Sequence, residues 1–268
     1  MANKHQAAVI VPFYRNSLSA WETVALDQCF KILGNHPIIA IKPRSLKLTV
    51  TSGYAFTETI EFDDHFFAGI AGYNALMLSE VFYGSFLAYE YVLLYQLDAF
   101  VFRDELDYWC GLGYDYIGAP WIRAKEYPHA LKRYGSILLQ KIHRRYNIKK
   151  HGLTSKKQLD DNVGNGGFSL RRVQKFYDCC LQYQQKIAEY NAKPSHHYNE
   201  DIFWSIELNR KQKVMSIPGY IEALKFAFEL VPNRALRLNQ NQLPFGCHAW
   251  DKFPDFWRPY FEQYGQKI

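Results

Sequence analysis

Two short stretches bring together residue types that do chemistry. Val163 to Arg171 reads Val-Gly-Asn-Gly-Gly-Phe-Ser-Leu-Arg, and further along His197 to Trp204 reads His-Tyr-Asn-Glu-Asp-Ile-Phe-Trp. Glycines let backbone approach a ligand closely where a side chain would collide. Acids that open a helix sit in the positive end of its field, which keeps them ionised and able to accept a proton. The pair suits an enzyme that seats a sugar on bare backbone and activates its hydroxyl with a carboxylate. Taken singly, each stretch also reads as an ordinary turn or ordinary capping acids. Asn199 is a good N-cap residue. Asp201, deeper in the first turn, is the expected base, with Glu200 as the second candidate.

Other residues stand out by position. Asp98 closes the apolar run Tyr-Val-Leu-Leu-Tyr-Gln-Leu-Asp. An acid at such a strand end is placed to hold Mg²⁺ or Mn²⁺ against a diphosphate, or to satisfy loop N–H groups. His248 lies in Phe-Gly-Cys-His-Ala-Trp and reads by itself as a core histidine or a neutral metal ligand. His196 and His197 beside Glu200 and Asp201 lack a second helix-spaced pair, so a zinc site is not expected.

These residues need a scaffold, and the bulk numbers allow one. The chain has 268 residues, 48% hydrophobic and 22% charged, enough for a real core. One domain spanning 1–268 is the expectation. The five cysteines are odd in number and lack a Cys-x-x-Cys, which argues against a disulfide framework or zinc site and for a reducing compartment. The first residues run straight into an apolar strand and no apolar run approaches membrane-span length. The expectation is therefore a cytoplasmic protein without a signal peptide. Aromatic residues are 17% of the chain and fit sugar stacking or an aromatic core equally well.

The apolar runs Ala7–Phe13, Pro37–Ile41 and Tyr91–Leu97, separated by helical spacing such as Ser19–Leu33, predict parallel crossover units. A weaker strand is expected within Tyr54–Phe62, helices at Gly69–Ser79 and Asp104–Leu112, and a short strand at Tyr116-Ile117. After a Gly166–Leu170 strand, helices are expected over Val173–Tyr190, Asn199–Arg210 and Ala223–Glu229, a strand at Val214–Ile217, and an aromatic helix near Pro254–Tyr264. The class is α/β, a mixed and mainly parallel sheet with helices on both faces. Ligands of such sheets lie beyond the carboxyl ends of the strands, where Asp98, the Pro12–Arg15 loop and Lys42 fall.

Charge is uneven. Between Arg123 and Lys157 stand eleven Lys or Arg against one acid, so this segment carries +10 and the rest of the chain −4 within a net +6. Leu131, Tyr134, Leu138 and Ile142 fall at helical spacing inside it. A basic amphipathic helix of this kind suits an anionic membrane surface, an acidic partner or nucleic acid, or else is a solvated surface helix.

With these residues placed, the chain resembles the GT-A glycosyltransferases. It looks closest to a bacterial, polysaccharide-locus family of glycosyltransferases first catalogued as a domain of unknown function. Val9–Tyr14, Gly72–Asn74, Tyr91–Phe102, Tyr114–Trp121, Gly164–Arg171, Asn199–Trp204 and Pro244–His248 carry the resemblance, in order. It implies a nucleotide-sugar donor held by Pro12, Tyr14, Lys42, Asn74, Gln96 and Asp98, and an acceptor at Trp121, Asn165, Gly166 and Gly167. Asp98 would stand in the Asp-x-Asp metal motif and His248 would be the C-terminal metal ligand, with Mn²⁺ or Mg²⁺ as cofactor. Glu200 and Asp201 would be the acid pair of inverting members. The chain departs from the pattern in having one acid, with Gln96 or Phe100 in place of the other.

The expectation is a cytoplasmic transferase acting on a glycan or lipid-linked acceptor, peripheral to the inner face of the membrane if segment 123–157 binds it. The rivals are a binding protein on the same scaffold with catalysis lost, and, more weakly, a nucleic-acid-binding protein.

Overall fold

The computed structural model describes residues 5–124, 126–150, 153–193 and 195–268. The start of the chain at Met1–Lys4 and the side chain of His196 lie outside the described residues, as do Lys125, His151 and Gly152 of the basic segment.

The first half alternates strand and helix: β1 (His5–Pro12), α1 (Ala20–Leu33), β2 (Ile38–Pro43), β3 (Glu58–Phe62), α2 (Gly69–Met77), α3 (Glu80–Gly84) and β4 (Tyr89–Tyr95). Then come β5 (Phe100–Val101), α4 (Leu106–Gly111), β6 (Tyr116–Gly118), β7 (Pro120–Trp121), α5 (Ala130–Arg145), β8 (Lys149–Lys150), β9 (Leu153–Thr154), β10 (Asn162–Val163) and β11 (Phe168–Arg172). The last part holds α6 (Val173–Gln182), α7 (Gln184–Asn191), α8 (Glu200–Ile202), α9 (Tyr220–Phe226), β12 (Ala227–Phe228), α10 (Pro232–Leu238), β13 (Gly246–Cys247) and α11 (Pro254–Phe261).

The main sheet runs β3-β2-β1-β4-β11-β6. Its first four strands are parallel, and β11 is antiparallel to both β4 and β6. The runs Ala7–Phe13 and Ile38–Lys42 are buried throughout, as strands covered on both faces must be. Helix α1 starts at a capping box, Ser19 accepting from the Glu22 N–H while the Glu22 carboxylate accepts from the Ser19 N–H.

A second, three-stranded sheet, β12-β13-β5, sets the site. β12 and β13 are parallel with Phe228 opposite Cys247, so the residues that follow them, Glu229 and His248, emerge side by side. β13 is antiparallel to β5 with Cys247 opposite Phe100, which returns His248 toward Asp98. Behind this sheet α11 supplies an aromatic layer: Phe100 stacks on Phe261 at 3.8 Å and Phe102 on Trp257 at 5.6 Å. Much of the aromatic content thus builds core, including Trp109, Trp204, Trp250 and Trp257, all fully buried.

Four expected elements differ. The expected Ala223–Glu229 helix ends at Phe226, and Ala227 and Phe228 pair as strand β12. Val214–Ile217 forms no strand, because side chains take its backbone partners: Asn209 Oδ1 accepts from the N–H groups of Val214 and Met215, and Asp115 Oδ2 from that of Ser216. The expected Val173–Tyr190 helix breaks at Tyr183 into α6 and α7. The expected Asn199–Arg210 helix is α-helical only over Glu200–Ile202 and widens to a π-helical turn at Phe203–Glu207. Ile202, Phe203, Trp204, Ile206 and Leu208 are all buried there, more than one face of a regular helix can turn inward.

Candidate functional site

Four distant segments meet at the carboxyl ends of β1 and β4. A cleft of about 380 Å³ opens there, bounded by Pro12, Tyr14, Gln96, Asp98, Trp21 and Trp250. Trp21 of α1 packs on the buried Trp250, ring centroids 5.2 Å apart, beside the cleft. The charged residues of the lining are Arg15, Glu22, Asp98 and Asp251, one base against three acids. Arg15 is already paired with Glu22 at 2.6 Å.

His248 stands at the edge of this cleft. Its Nε2 lies 3.1 Å from Asp98 Oδ1 and 3.2 Å from Gln96 Oε1. Its Nδ1 meets Asn165 Nδ2 at 2.8 Å and lies 3.7 Å from Glu229 Oε1. Burial works against a charged ring, but Asp98 first and then Glu229 outweigh it and raise the imidazole to about 10. Burial likewise would push Asp98 up, but His248 brings its carboxyl below the ordinary value. Asn165 has a left-handed backbone, φ 70°, a conformation asparagine tolerates, and its Oδ1 accepts from the Gly167 N–H at 2.7 Å.

The glycines serve a different purpose from the bare floor expected for a sugar. A Cβ at Gly167 would collide with the His248 ring and with Gln96 Oε1, and one at Gly166 with the Glu200 carboxylate. A Cβ at Gly164 would strike the Trp121 ring. The protein's own side chains fill the space over the Gly-Asn-Gly-Gly turn, so the turn positions the site from below.

Next to this turn lies a buried ion pair. Arg171, wholly buried on β11, donates to Glu200 Oε1 at 2.9 Å, to Tyr83 Oη at 2.9 Å and to Ser169 Oγ at 3.1 Å. Burial raises the Glu200 carboxyl and Arg171 only partly offsets it. Asp201, half-buried, accepts from the Ile202 N–H at 2.8 Å. Its carboxyl is pushed up to about 7, by burial first, then by the negative charges of Glu200 and Glu229. A carboxylate poised near neutrality suits proton transfer at physiological pH.

Pro12, Tyr14, Gln96 and Asp98 thus share the cleft, and His248, Asn165, Gly166, Gly167, Glu200 and Asp201 gather beside it. Two expected donor residues stand elsewhere. Lys42 is buried, its Nζ held by Glu61 at 2.7 Å, the residue opposite it on β3. Asn74 caps the acid-bearing turn instead, its Oδ1 accepting the Glu200 N–H at 3.1 Å. Asn199 makes no side-chain capping bond and accepts from Asn74 at 3.2 Å. Trp121 packs against Gly164. Of the two candidates for the missing acid, Gln96 faces His248, while Phe100 is sealed in the aromatic layer.

Sequence reasoning missed Glu229, Arg171 and Tyr73. Glu229 sits where a helix was expected to end, and only the pairing of β12 with β13 brings it to His248. Arg171 gave little signal, because it shares a strand face with Ser169 and alternates with Phe168 and Leu170, as the polar face of an exposed strand does. The buried Tyr73 hydroxyl is pushed well up by burial, then by Tyr14 and Glu200.

Residues 56–248 match the family described as a protein of unknown function, DUF5672. The chain belongs to that family. No curated protein matches it. Among solved structures, the DUF5672 chain is similar to galactosyltransferase LgtC in complex with donor and acceptor sugar analogues, at 12% identity and a TM-score of 0.53, covering 90% of this chain and 86% of that one. It is similar also to an active-site mutant of LgtC, at 17% identity and a TM-score of 0.51, with the same coverage. Likeness at this identity concerns the fold, which is that of the GT-A glycosyltransferases.

Proposed function

We propose that this chain is a nucleotide-sugar-dependent glycosyltransferase. The observation that carries the reading is the convergence, beside a cleft at the strand ends, of Asp98, Gln96 and His248 with a carboxylate, Asp201, poised near neutral pH. The similarity of fold to a galactosyltransferase is consistent with it. In the proposed reaction the donor's nucleotide lies in the cleft against Tyr14. Asp201 takes the proton of the acceptor hydroxyl as that oxygen attacks the anomeric carbon and inverts it. Glu200, neutralised by Arg171, holds the turn that presents Asp201. Glu229 and Asn165 fix the His248 ring.

Among the described residues no three His, Cys, Asp or Glu side chains group to hold a metal. The donor set fits a divalent ion in part: the Asp98 carboxylate and Gln96 amide oxygen meet His248 Nε2, which becomes a donor once the ion displaces the proton that Asp98 holds on the ring. A diphosphate and water complete such a sphere in sites of this kind. The cleft's excess of acids also leaves a diphosphate without a counter-charge. Asp98, His248 and Gln96 would hold Mn²⁺ or Mg²⁺, and the ion would offset charge growing on the leaving diphosphate.

The test is hydrolysis of a panel of nucleotide sugars by the purified protein, which needs no known acceptor. Turnover of at least one donor, reduced about 10²-fold or more in Asp201→Asn, is expected. Equal turnover by the variant rejects Asp201 as base. Nucleotide binding with no turnover of any donor favours the rival, a binding protein on the same scaffold, which the single acid of the motif supports.

A further inference from the structure

Helix α5 is built inside out. Toward the body it turns Ser136, Gln140, His143 and Arg144, and these make the packing contacts. Arg123 donates to Ser136 Oγ, Gln140 donates to the Tyr127 hydroxyl, His143 Nδ1 meets Ser155 Oγ at 2.7 Å and Arg144 bonds to Asn162. Gln140 is the helix's one buried residue. Toward solvent it turns Leu131, Tyr134, Leu138 and Ile142, which are 83%, 76%, 54% and 41% exposed, with Tyr146 just beyond at 72%. An ordinary surface helix buries its apolar stripe and wets its polar one. Here the apolar stripe is offered outward over the whole helix, larger than the scattered exposed apolar residues normal on a soluble surface.

The rim of this stripe decides its partner. Lys132, Arg133 and Lys141 on the helix, and Lys149, Lys150 and Lys156 after it, are exposed and, among the described residues, outside any ion pair. The segment's +10 stands against −4 for the rest of the chain. A second copy would meet the same positive surface and be repelled. Nucleic acid would find the charge but no use for exposed leucine and isoleucine. We infer that α5 and the β8–β9 hairpin dock on the surface of an anionic bilayer, leucine, isoleucine and tyrosine entering the headgroup boundary and the lysines meeting lipid phosphates. The segment hangs from a stem in which β7 pairs with β10, Trp121 opposite Asn162. The Gly164–Gly167 turn follows that stem, so docking brings the turn toward the membrane.

Sedimentation with vesicles of phosphatidylcholine alone, or with about one-third phosphatidylglycerol, tests this without any sugar nucleotide, so it stands or falls independently of the transferase reading. Binding is expected only to the anionic vesicles, weakening steeply with salt. Lys→Gln at 132, 141, 149 and 150 should lower the partition coefficient by roughly three orders of magnitude. The charge-neutral change Leu138→Gln with Ile142→Gln touches only exposed positions and should also abolish sedimentation, with donor hydrolysis in free solution unchanged. No binding to anionic vesicles at low salt overturns the inference. So does binding indifferent to the Leu138 and Ile142 changes, which would mean charge attraction alone. A wild-type dimer that those two changes dissolve would assign the stripe to a second copy instead. Salt-sensitive RNA binding in place of vesicle binding would assign it to nucleic acid.

Discussion

Asp201 joins two properties that usually oppose each other. Its carboxyl is raised to about 7 from an ordinary 3.8. The fold therefore keeps a proton that the unfolded chain gives up, and this contribution to stability is full below about pH 4 and lost as pH rises to about 7. Activity should run the other way: kcat/KM is expected to rise with pH through an apparent pKa near 7, and a pH profile of donor hydrolysis checks it. Asp201→Asn should remove both effects, raising stability at pH 8 by up to about 4 kcal/mol in urea titrations while turnover falls. An Asn variant less stable than wild type at pH 8 would mean that the carboxylate is held by attraction. The buried pair behaves differently. Arg171→Met leaves Glu200 charged and alone and should cost about 3–5 kcal/mol, partly recovered when Glu200→Gln is added. A double variant as unstable as the single one would show that the other Arg171 bonds dominate. The sequence named Asp201 and Glu200 because acids at a helix start have a local reason to be there. It hid Glu229, whose role depends on a partner nineteen positions later on a neighbouring strand.

The elements that place these residues were legible where their pattern is local. Strands β1, β2 and β4 are apolar runs, and α1 carries its capping box in plain view. The three-stranded sheet was not legible, because β5, β12 and β13 are two residues each, too short for any periodicity. Yet that sheet carries Glu229 and His248 to Asp98. The Gly-Asn-Gly-Gly turn stands out in the sequence, but what occupies the space over it does not. Its missing side chains make room for His248, Gln96 and Glu200, and glycine looks the same in sequence whether the visitor is a ligand or the chain itself. Gly167→Ala should therefore displace His248 and Gln96 and weaken Mn²⁺-dependent nucleotide binding by about 10–100-fold, as removal of a ligand's support does. Calorimetry with a nucleoside diphosphate reads the loss, and unchanged circular dichroism separates it from misfolding. Full affinity in the alanine variant would release the turn from any part in holding that ring.

At the scale of the molecule the GT-A fold puts the cleft where the sequence expected ligands, at the carboxyl ends of the parallel strands. A nucleoside diphosphate with Mn²⁺ should raise the melting temperature, the gain amounting to about 2.7 kcal/mol at a ligand concentration 100 times Kd. Asp98→Ala should lose the part of the gain that depends on Mn²⁺. Equal gains with Mn²⁺ and with chelator in the wild type would reject the metal site. Helix α5 was found from its spacing and charge, but its orientation was not readable, since a stripe of leucines turned inward or outward has one and the same sequence. The cleft has one more property. Trp21 comes from the first helix and rests on the buried Trp250 of a much later segment, and the pair borders the cleft. A chain emerging from the ribosome has the N-terminal strands early, but it has only half a cleft until Trp250 and Asp251 have been made and docked. On the proposed reading, nucleotide affinity then waits until Trp250 and Asp251 have docked. Chains cut short before Trp250 should retain the parallel strands and be blind to the nucleotide.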